Sequence, residues 1–479
     1  MIRNLLLTAA SAALLTGCSG AATGQDLYSG FTRIDPESRT LTENSYIIVE
    51  DGRIIRVGTG NPPDMDFRTV HDLTGTFGLP GFVDAHGHIT AGPHAVDIVD
   101  GAPMVTMESR EDVTEFHARV ALAFGVTSVR NPGADPQANA VYDRRIASGE
   151  WIGPDAVHAG AVMQPPPFGG NAFAYPQGRE AWFAEAERQA GLGMRYFKLY
   201  HGLTEDELAL GIEAAHAHGL KAIAHLDQVS WLTAAEMGID GLLHALPTSS
   251  DLLEPEAAEA YLAERGPDSR FMYQWFEYAD FDSPRVQRLM RELAERQIEV
   301  DLTLLVNELV YSEEGYQAVI QAGDERYFHP DALESSEQFA ELARTGWTGE
   351  DYARADAAMD NVHAFVRRLH AAGVPLLIGT DGPGGGPGYA MELQLHHAAG
   401  LDRWEILRLA TSASAEGIGF DNTGRLAEGR EADIVFLDAN PVENLDHARE
   451  VHMVVTNGRA FTFEQLTAPL LQNSQDGEG

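Results

Sequence analysis

The chain has 479 residues, 44% of them hydrophobic and 22% charged, a globular composition that excludes a disordered chain and needs no disulfide to support a large core. Its 72 acidic against 33 basic residues leave a formal charge of −39, which repels phosphate backbones and excludes a nucleic-acid binder. Only Lys198 and Lys221 among the basic residues are lysines, and the single cysteine, Cys18, rules out an intramolecular disulfide.

The N-terminus Met1-Ile2-Arg3-Asn4 carries one positive charge and precedes an apolar run from Leu5 to Leu15. Such a run is too short to span a bilayer and fits a signal h-region. It ends in Leu15-Thr16-Gly17-Cys18, which resembles the lipobox of bacterial lipoprotein signals. The resemblance implies a signal peptide over 1–17, a lipidated Cys18, a tether over 18–26 and a periplasm-facing position. With Ser19 and no aspartate after the cysteine, the expected membrane is the outer one. No later stretch reaches about 18 uncharged apolar residues, so the lipid anchor is the one membrane contact expected.

Residues 27–78 alternate strand-like runs with turn signals. Tyr46-Ile47-Ile48-Val49 and Arg53-Ile54-Ile55-Arg56-Val57 flank Asp51-Gly52, a hairpin signal. The same texture returns within 421–470, in Ala432–Leu437 and Val451–Gly458. A small β-sandwich domain assembled from both termini is therefore expected, with a disordered tail over 471–479. Between them, residues 79–420 alternate short apolar runs with helical patterns, the signature of βα units. Eight runs stand out: Phe82–His88, Val126–Arg130, Ala156–Met163, Arg195–Tyr200, Lys221–Leu226, Gly241–Ala245, Ile298–Leu305 and Val374–Asp381. Thr204-Glu205-Asp206-Glu207 reads as a capping box opening a helix through Ala217. Eight such units predict an α/β fold of the (β/α)8 TIM-barrel kind. The spacer from Val306 to Gly373 exceeds one helix and a loop, so an extra helical layer over the barrel mouth is expected.

Active-site groups of such a barrel sit at the C-terminal ends of its strands. The first run ends in His86-Gly87-His88, two histidines at i and i+2 that share one face of a strand. The fourth ends in Lys198, the fifth in His225, the sixth in His244 and the eighth in Asp381. Alone, His-x-His is a weak signal, but metal-type residues at so many strand ends are not expected from independent placement.

Three stretches resemble the amidohydrolase superfamily of metal-dependent hydrolases: Leu79-Pro80-Gly81-Phe82-Val83-Asp84-Ala85-His86-Gly87-His88, Gly379-Thr380-Asp381, and Gly424-Arg425-Leu426-Ala427-Glu428-Gly429-Arg430-Glu431-Ala432-Asp433-Ile434-Val435. The order His-x-His, Lys, His, His, Asp is similar to its binuclear branch, and to imidazolonepropionase-like and prolidase-like members within it. Arg430 stands where relatives often carry lysine. The resemblance implies two divalent ions, such as zinc, with His86, His88 and Asp381 on one and His225 and His244 on the other. It also implies a carbamate of CO₂ on Lys198 between the ions and a shared hydroxide as nucleophile, with Asp381 as general base and acid. The alternative for a strand-end lysine is a snorkelled stem or an anchor for a substrate carboxylate. The substrate class implied is small amides, dipeptides or N-acyl amino acids. Esters, lactones, and cyclic amidines or imides are the alternative substrates, and a non-catalytic binding lipoprotein is the alternative class. Arg130, Tyr200 and His201 are candidate substrate contacts, Arg130 competing with a structural ion pair there and Tyr200 and His201 with packing roles. His158, His216, His218, His396 and His397 lack recognisable partners. A homo-oligomer is compatible with this reading.

Overall fold

The computed structural model describes residues 24–99, 102–266 and 268–476, so the expected signal segment and Cys18 lie outside the described residues. Among the described residues no helix is long and apolar enough to cross a membrane.

Both ends of the chain feed one sheet. Strands Gln25–Asp35, Thr40–Glu50, Arg53–Thr59, Thr69–Asp72 and Phe77–Pro80 join Ile434–Leu437, Val451–Thr456 and Arg459–Thr462 in a mixed eight-stranded sheet. The Asp51-Gly52 turn links the second and third strands with φ of +48° and +76°, the left-handed pair that a two-residue hairpin requires. A single continuous sheet stands where two sheets of a sandwich are expected. The reason is the long strand Gln25–Asp35, which pairs antiparallel with Thr40–Glu50 and parallel with both Thr69–Asp72 and Phe77–Pro80. Its register breaks on both sides of Phe31, and such bulges bend a strand. At Gly30, where φ is +88°, an added Cβ would lie 2.5 Å from the Thr74 hydroxyl, so the bend needs glycine. Phe31, Ile47, Ile434 and Phe436 fill the core of this unit.

Where disorder is expected from 471 onwards, a helix, Phe463–Asp476, runs through 471–476, and 477–479 lie outside the described residues. Phe463, Leu466 and Leu470 recur at helical spacing and pack against Val120, Phe124 and Tyr327, which gives the segment a face to bury.

Each of the eight apolar runs contains a parallel strand: Phe82–Asp84, Val126–Asn131, Asp155–His158, Tyr196–Leu199, Lys221–Ala224, Gly241–Leu243, Glu299–Asp301 and Leu376–Leu377. The first three form one sheet; the other five, with the short Val162–Met163 and Phe173–Ala174, form a second. The ladders do not close into one ring. Isolated parallel bridges, Ala159 with Tyr196 and Gly87 with Gly382, pass between the two sheets.

The helices follow their local signals. Thr204 and Glu207 complete the capping box in both directions (3.3 and 2.9 Å), and the helix runs Glu205–Ala217. Helix Pro284–Glu295 starts at a Ser283 cap and buries Val286, Leu289, Met290 and Leu293 at one-face spacing. The long spacer after the seventh strand holds helices Leu304–Tyr311, Pro330–Ala343 and Gly349–Ala371. The first follows its strand directly, and buried Glu392 accepts from the amides of Leu304 (2.9 Å) and Leu305 (2.7 Å), satisfying donors that a helix start leaves open. A hairpin, His94–Val99 with Ala102–Met107, follows the first parallel strand and is not legible as strands in the sequence reading.

Candidate active site

The ends of the parallel strands bring the expected ligands together. His86 Nε2 lies 3.1 Å and His88 Nε2 3.2 Å from Asp381 Oδ1, and His244 Nδ1 lies 3.9 Å from Asp381 Oδ2. Nitrogen or oxygen atoms of His86, His244 and Asp381 all fall within 4.8 Å of one another, a spacing one metal ion can bridge. The His225 ring joins the group through His244, at 4.4 Å between centroids. Lys198 is buried at the end of its strand and lines the same cavity as His86, His88, His244 and Asp381.

Local structure explains why these groups converge. Asp84, wholly buried, accepts from the His86 amide (3.0 Å), the Thr380 amide (3.0 Å) and the Thr380 hydroxyl (2.7 Å). It thereby fixes the His-x-His turn to the strand end that carries Asp381. Gly379 lets these segments touch, since a Cβ there would lie 2.5 Å from His86 Cβ. His244, Thr303 and Asp381 have φ of +68°, +41° and +55°, a costly region for non-glycine residues that clusters at functional sites.

The ring nitrogens are oriented from behind. His86 Nδ1 donates to Asp301 Oδ1 (2.9 Å) and His88 Nδ1 to the Gly133 carbonyl (2.9 Å), leaving each Nε2 lone pair facing Asp381. His244 Nδ1 is hydrogen-bonded to the Thr303 hydroxyl at 2.7 Å. His86 Nε2 and His225 Nδ1 are buried with no hydrogen-bond partner. Buried, unsatisfied nitrogens beside a carboxylate are costly unless something binds them, and a divalent cation fits that donor set.

The electrostatics agree. Burial opposes ionisation of Asp381, but His86 and His244 outweigh it and hold the carboxyl well below its ordinary range. Burial likewise opposes a charge on His86, yet Asp301 and Asp381 raise its pKa, so the field that draws a proton there would also draw a cation. His244 is pushed down to about 3 and His225 well below its usual value, both chiefly by burial, and both remain neutral imidazoles able to ligate. Burial also lowers Lys198 to about 8, against the pull of Asp381 and Asp301.

Of the three candidate substrate contacts, Tyr200 and His201 face the cavity, their rings 4.7 and 5.8 Å from that of His225. Arg130 is corrected. It points inward rather than to the cavity, with Nε donating to the Ala85 carbonyl (2.7 Å), one terminal nitrogen on Asp301 and the other 3.6 Å from Glu299. Strand alternation turns its side chain to the interior, where two carboxylates from the seventh strand neutralise it. Of the other histidines singled out in the sequence, His158 pairs with Asp143, His216 with Asp240, His396 and His397 bond backbone carbonyls, and His218 packs against Phe183 at 6.1 Å between centroids. Sequence reasoning missed Asp84 and Asp301. Both carried a signal, Asp84 two residues before His86 and Asp301 at the end of the seventh strand.

The cluster forms one end of a cavity of about 350 Å³. Helices Leu304–Tyr311 and Pro330–Ala343 and the turns between them supply part of its lining, the helical layer expected over the strand ends.

Parallel strands carry a histidine, lysine and aspartate cluster at their C-terminal ends, a candidate metal site. Comparison with known proteins agrees. The amidohydrolase family model matches residues 288–461. The imidazolonepropionase of Caldanaerobacter subterraneus subsp. tengcongensis is 24% identical over 427 residues, covering 86% of this chain and 88% of that protein. The ochratoxinase of Aspergillus niger is 34% identical over 103 residues, 21% of each chain. Among solved structures, a Xaa-Pro dipeptidase with bound methionine superposes with a TM-score of 0.65 at 18% identity, covering 91% of this chain and 100% of its own. The chain is thus similar to the amidohydrolase family over residues 288–461, to an imidazolonepropionase over most of its length, and in fold to a dipeptidase.

Proposed function

We propose that this enzyme is a metal-dependent hydrolase that cleaves C–N bonds of small amides, such as dipeptides or N-acyl amino acids, from the open end of a (β/α)8 barrel. The barrel reading is supported by the two bridges between the parallel sheets and by the Ala85 amide, which donates to the Ile378 carbonyl (2.7 Å) across the first and last strands. The observation that carries the functional reading is the convergence of five histidine and aspartate ligands with unpartnered ring nitrogens beside a buried lysine. Relatives named for imidazolonepropionase, ochratoxinase and N-substituted formamide deformylase activities act on the same bond class.

His86, His88 and Asp381 would hold one divalent ion, and His225 and His244 a second, with a Lys198 carbamate supplying oxygens to both. Such ions, zinc being the expected one, polarise a carbonyl and lower the pKa of water towards ~7. The chain's own residues do the rest. Burial lowers the pKa of Lys198 to about 8, which favours the neutral amine. The neutral amine adds to CO₂ with loss of one proton, forming the N–C bond of the carbamate. Asp301 and Gly133 keep the histidine Nε2 lone pairs turned towards Asp381. Asp381, held ionised, accepts the proton of the attacking water and delivers it to the departing nitrogen. Tyr200 and His201 flank the substrate beside His225.

Metal analysis joined to a screen of dipeptides, N-acyl amino acids and lactones tests this. The expected result is about two divalent ions per chain and amide hydrolysis abolished by Asp381→Asn. A metal-loaded wild type that cleaves no amide, or a Lys198→Ala variant with full turnover, would overturn it.

A further inference from the structure

We propose that the cavity next to the ligand cluster selects amides bearing a bulky, uncharged hydrocarbon group, and discriminates against a carboxylate at that end of the substrate. The inference rests on the hydrolase reading above and narrows its substrate class.

The first observation is the apolar part of the cavity lining. Leu305, Leu309, Val319, Ile320, Phe328 and Phe339 form it, all contributed by the segment after the seventh strand. The second is charge. Among the described residues lining the cavity, Lys198 is the only lysine or arginine and Asp381 the only carboxylate, and both belong to the cluster. Arg130, the cation that would suit a substrate carboxylate, is held by Asp301 and Glu299 beneath the cluster. His117 is kept uncharged by burial, which pushes it down to about 3, and its Nε2 accepts from the His329 amide (3.3 Å). A carboxylate brought to this apolar lining would lose water and gain no cation, whereas a hydrocarbon group loses nothing there.

The third observation is the mouth. Phe339 lines the cavity and is also 40% exposed, stacking on His94 of the hairpin at 5.0 Å between centroids. Val96 and Ile98, which alternate with His94 along its strand, and Leu342, one helical turn after Phe339, are exposed apolar residues as well. The volume of about 350 Å³ equals about a dozen water-sized volumes, so it suits an aryl group or a chain of roughly ten carbons.

The test is a ladder of N-acyl-p-nitroanilides from acetyl to dodecanoyl, with matched compounds ending in an ω-carboxylate. kcat/KM of the metal-loaded enzyme should rise about fourfold per methylene until roughly ten carbons. Each ω-carboxylate compound should be slower than its neutral partner by a hundredfold or more. Equilibrium binding of the same compounds to the Asp381→Asn variant gives a readout independent of turnover. Leu309→Trp and, separately, Val319→Phe fill the cavity and should shorten the preferred chain by several carbons. A flat ladder in binding, equal handling of the carboxylate series, or an unmoved length optimum in both well-folded variants would overturn the proposal. A binding ladder without hydrolysis of any member would instead uphold the hydrocarbon cavity and refute the C–N hydrolysis reading.

Discussion

Replacing Asp301 by asparagine keeps its shape and removes its charge. Asp301 is wholly buried and receives His86 Nδ1, an Arg130 guanidinium nitrogen and, at 3.5 Å, the His244 amide. Arg130 is 1% exposed and would retain only Glu299 at 3.6 Å as a countercharge. Breaking a buried ion pair by removing one partner costs ~3–5 kcal/mol, and the surviving Glu299 places the expected loss near the lower figure. The same change frees the His86 ring, for which outer partners are worth ~10–100-fold in metal affinity. Urea denaturation of metal-free protein should register the first effect, and zinc competition against a chelating dye the second. In the double variant Arg130→Met/Asp301→Asn most of the stability should return, because no unpaired charge remains, while zinc affinity should stay low. The sign of the pH effect follows from Asp301 itself. Burial would raise its pKa, but His86 and Arg130 outweigh that and hold it at about 2, so its contribution is full above about pH 4 and fades as pH falls towards 2. A loss under about 1 kcal/mol in Asp301→Asn, or full recovery of zinc affinity in the double variant, would refute this account of Asp301.

Other outcomes follow from the same geometry. Lys198→Ala should lower the metal content from about two ions to about one, with activity partly restored by a short carboxylic acid. Because burial lowers Lys198 to about 8, metal loading at a fixed partial pressure of CO₂ should quicken between about pH 7 and 9 as the amine deprotonates; a flat profile would contradict carbamate formation. Asp381→Asn should reduce turnover by ~10²–10⁴, measured on any amide the wild type cleaves. Asp84→Ala strands three donors, two on Thr380 and one on His86, and should cost ~1–3 kcal/mol in urea denaturation while also weakening metal binding.

Much of the site was legible because strand ends and hydrophobic runs are local properties. His86, His88, Lys198, His225, His244 and Asp381 were found by asking what terminates each apolar run, and the cluster in the structure is drawn from that set. Asp301 escaped the same question because the seventh apolar run reads on to Leu305, past the end of the strand Glu299–Asp301. The fate of Arg130 was not legible, since one residue of strand alternation decides between interior and cavity, and its partner Asp301 lies 171 residues on. Asp84 was visible in the motif, but its work is done on Thr380, 296 residues away.

The sequence by itself determined the βα alternation, the terminal strands, the capping box at Thr204 and the order of metal-type residues, because each depends on spacing within one element. It also marked Lys198 as unusual by the scarcity of lysine. Only the tertiary structure gave the two lysines their surroundings: Lys198 is buried beside Asp381, while Lys221 pairs with Glu299 and the Gly417 carbonyl. It also decided the shape and polarity of the cavity, whose walls come from segments far apart in the chain. Spacing fixes which face a side chain occupies, but charge pairing and cavity shape arise only where distant segments pack together.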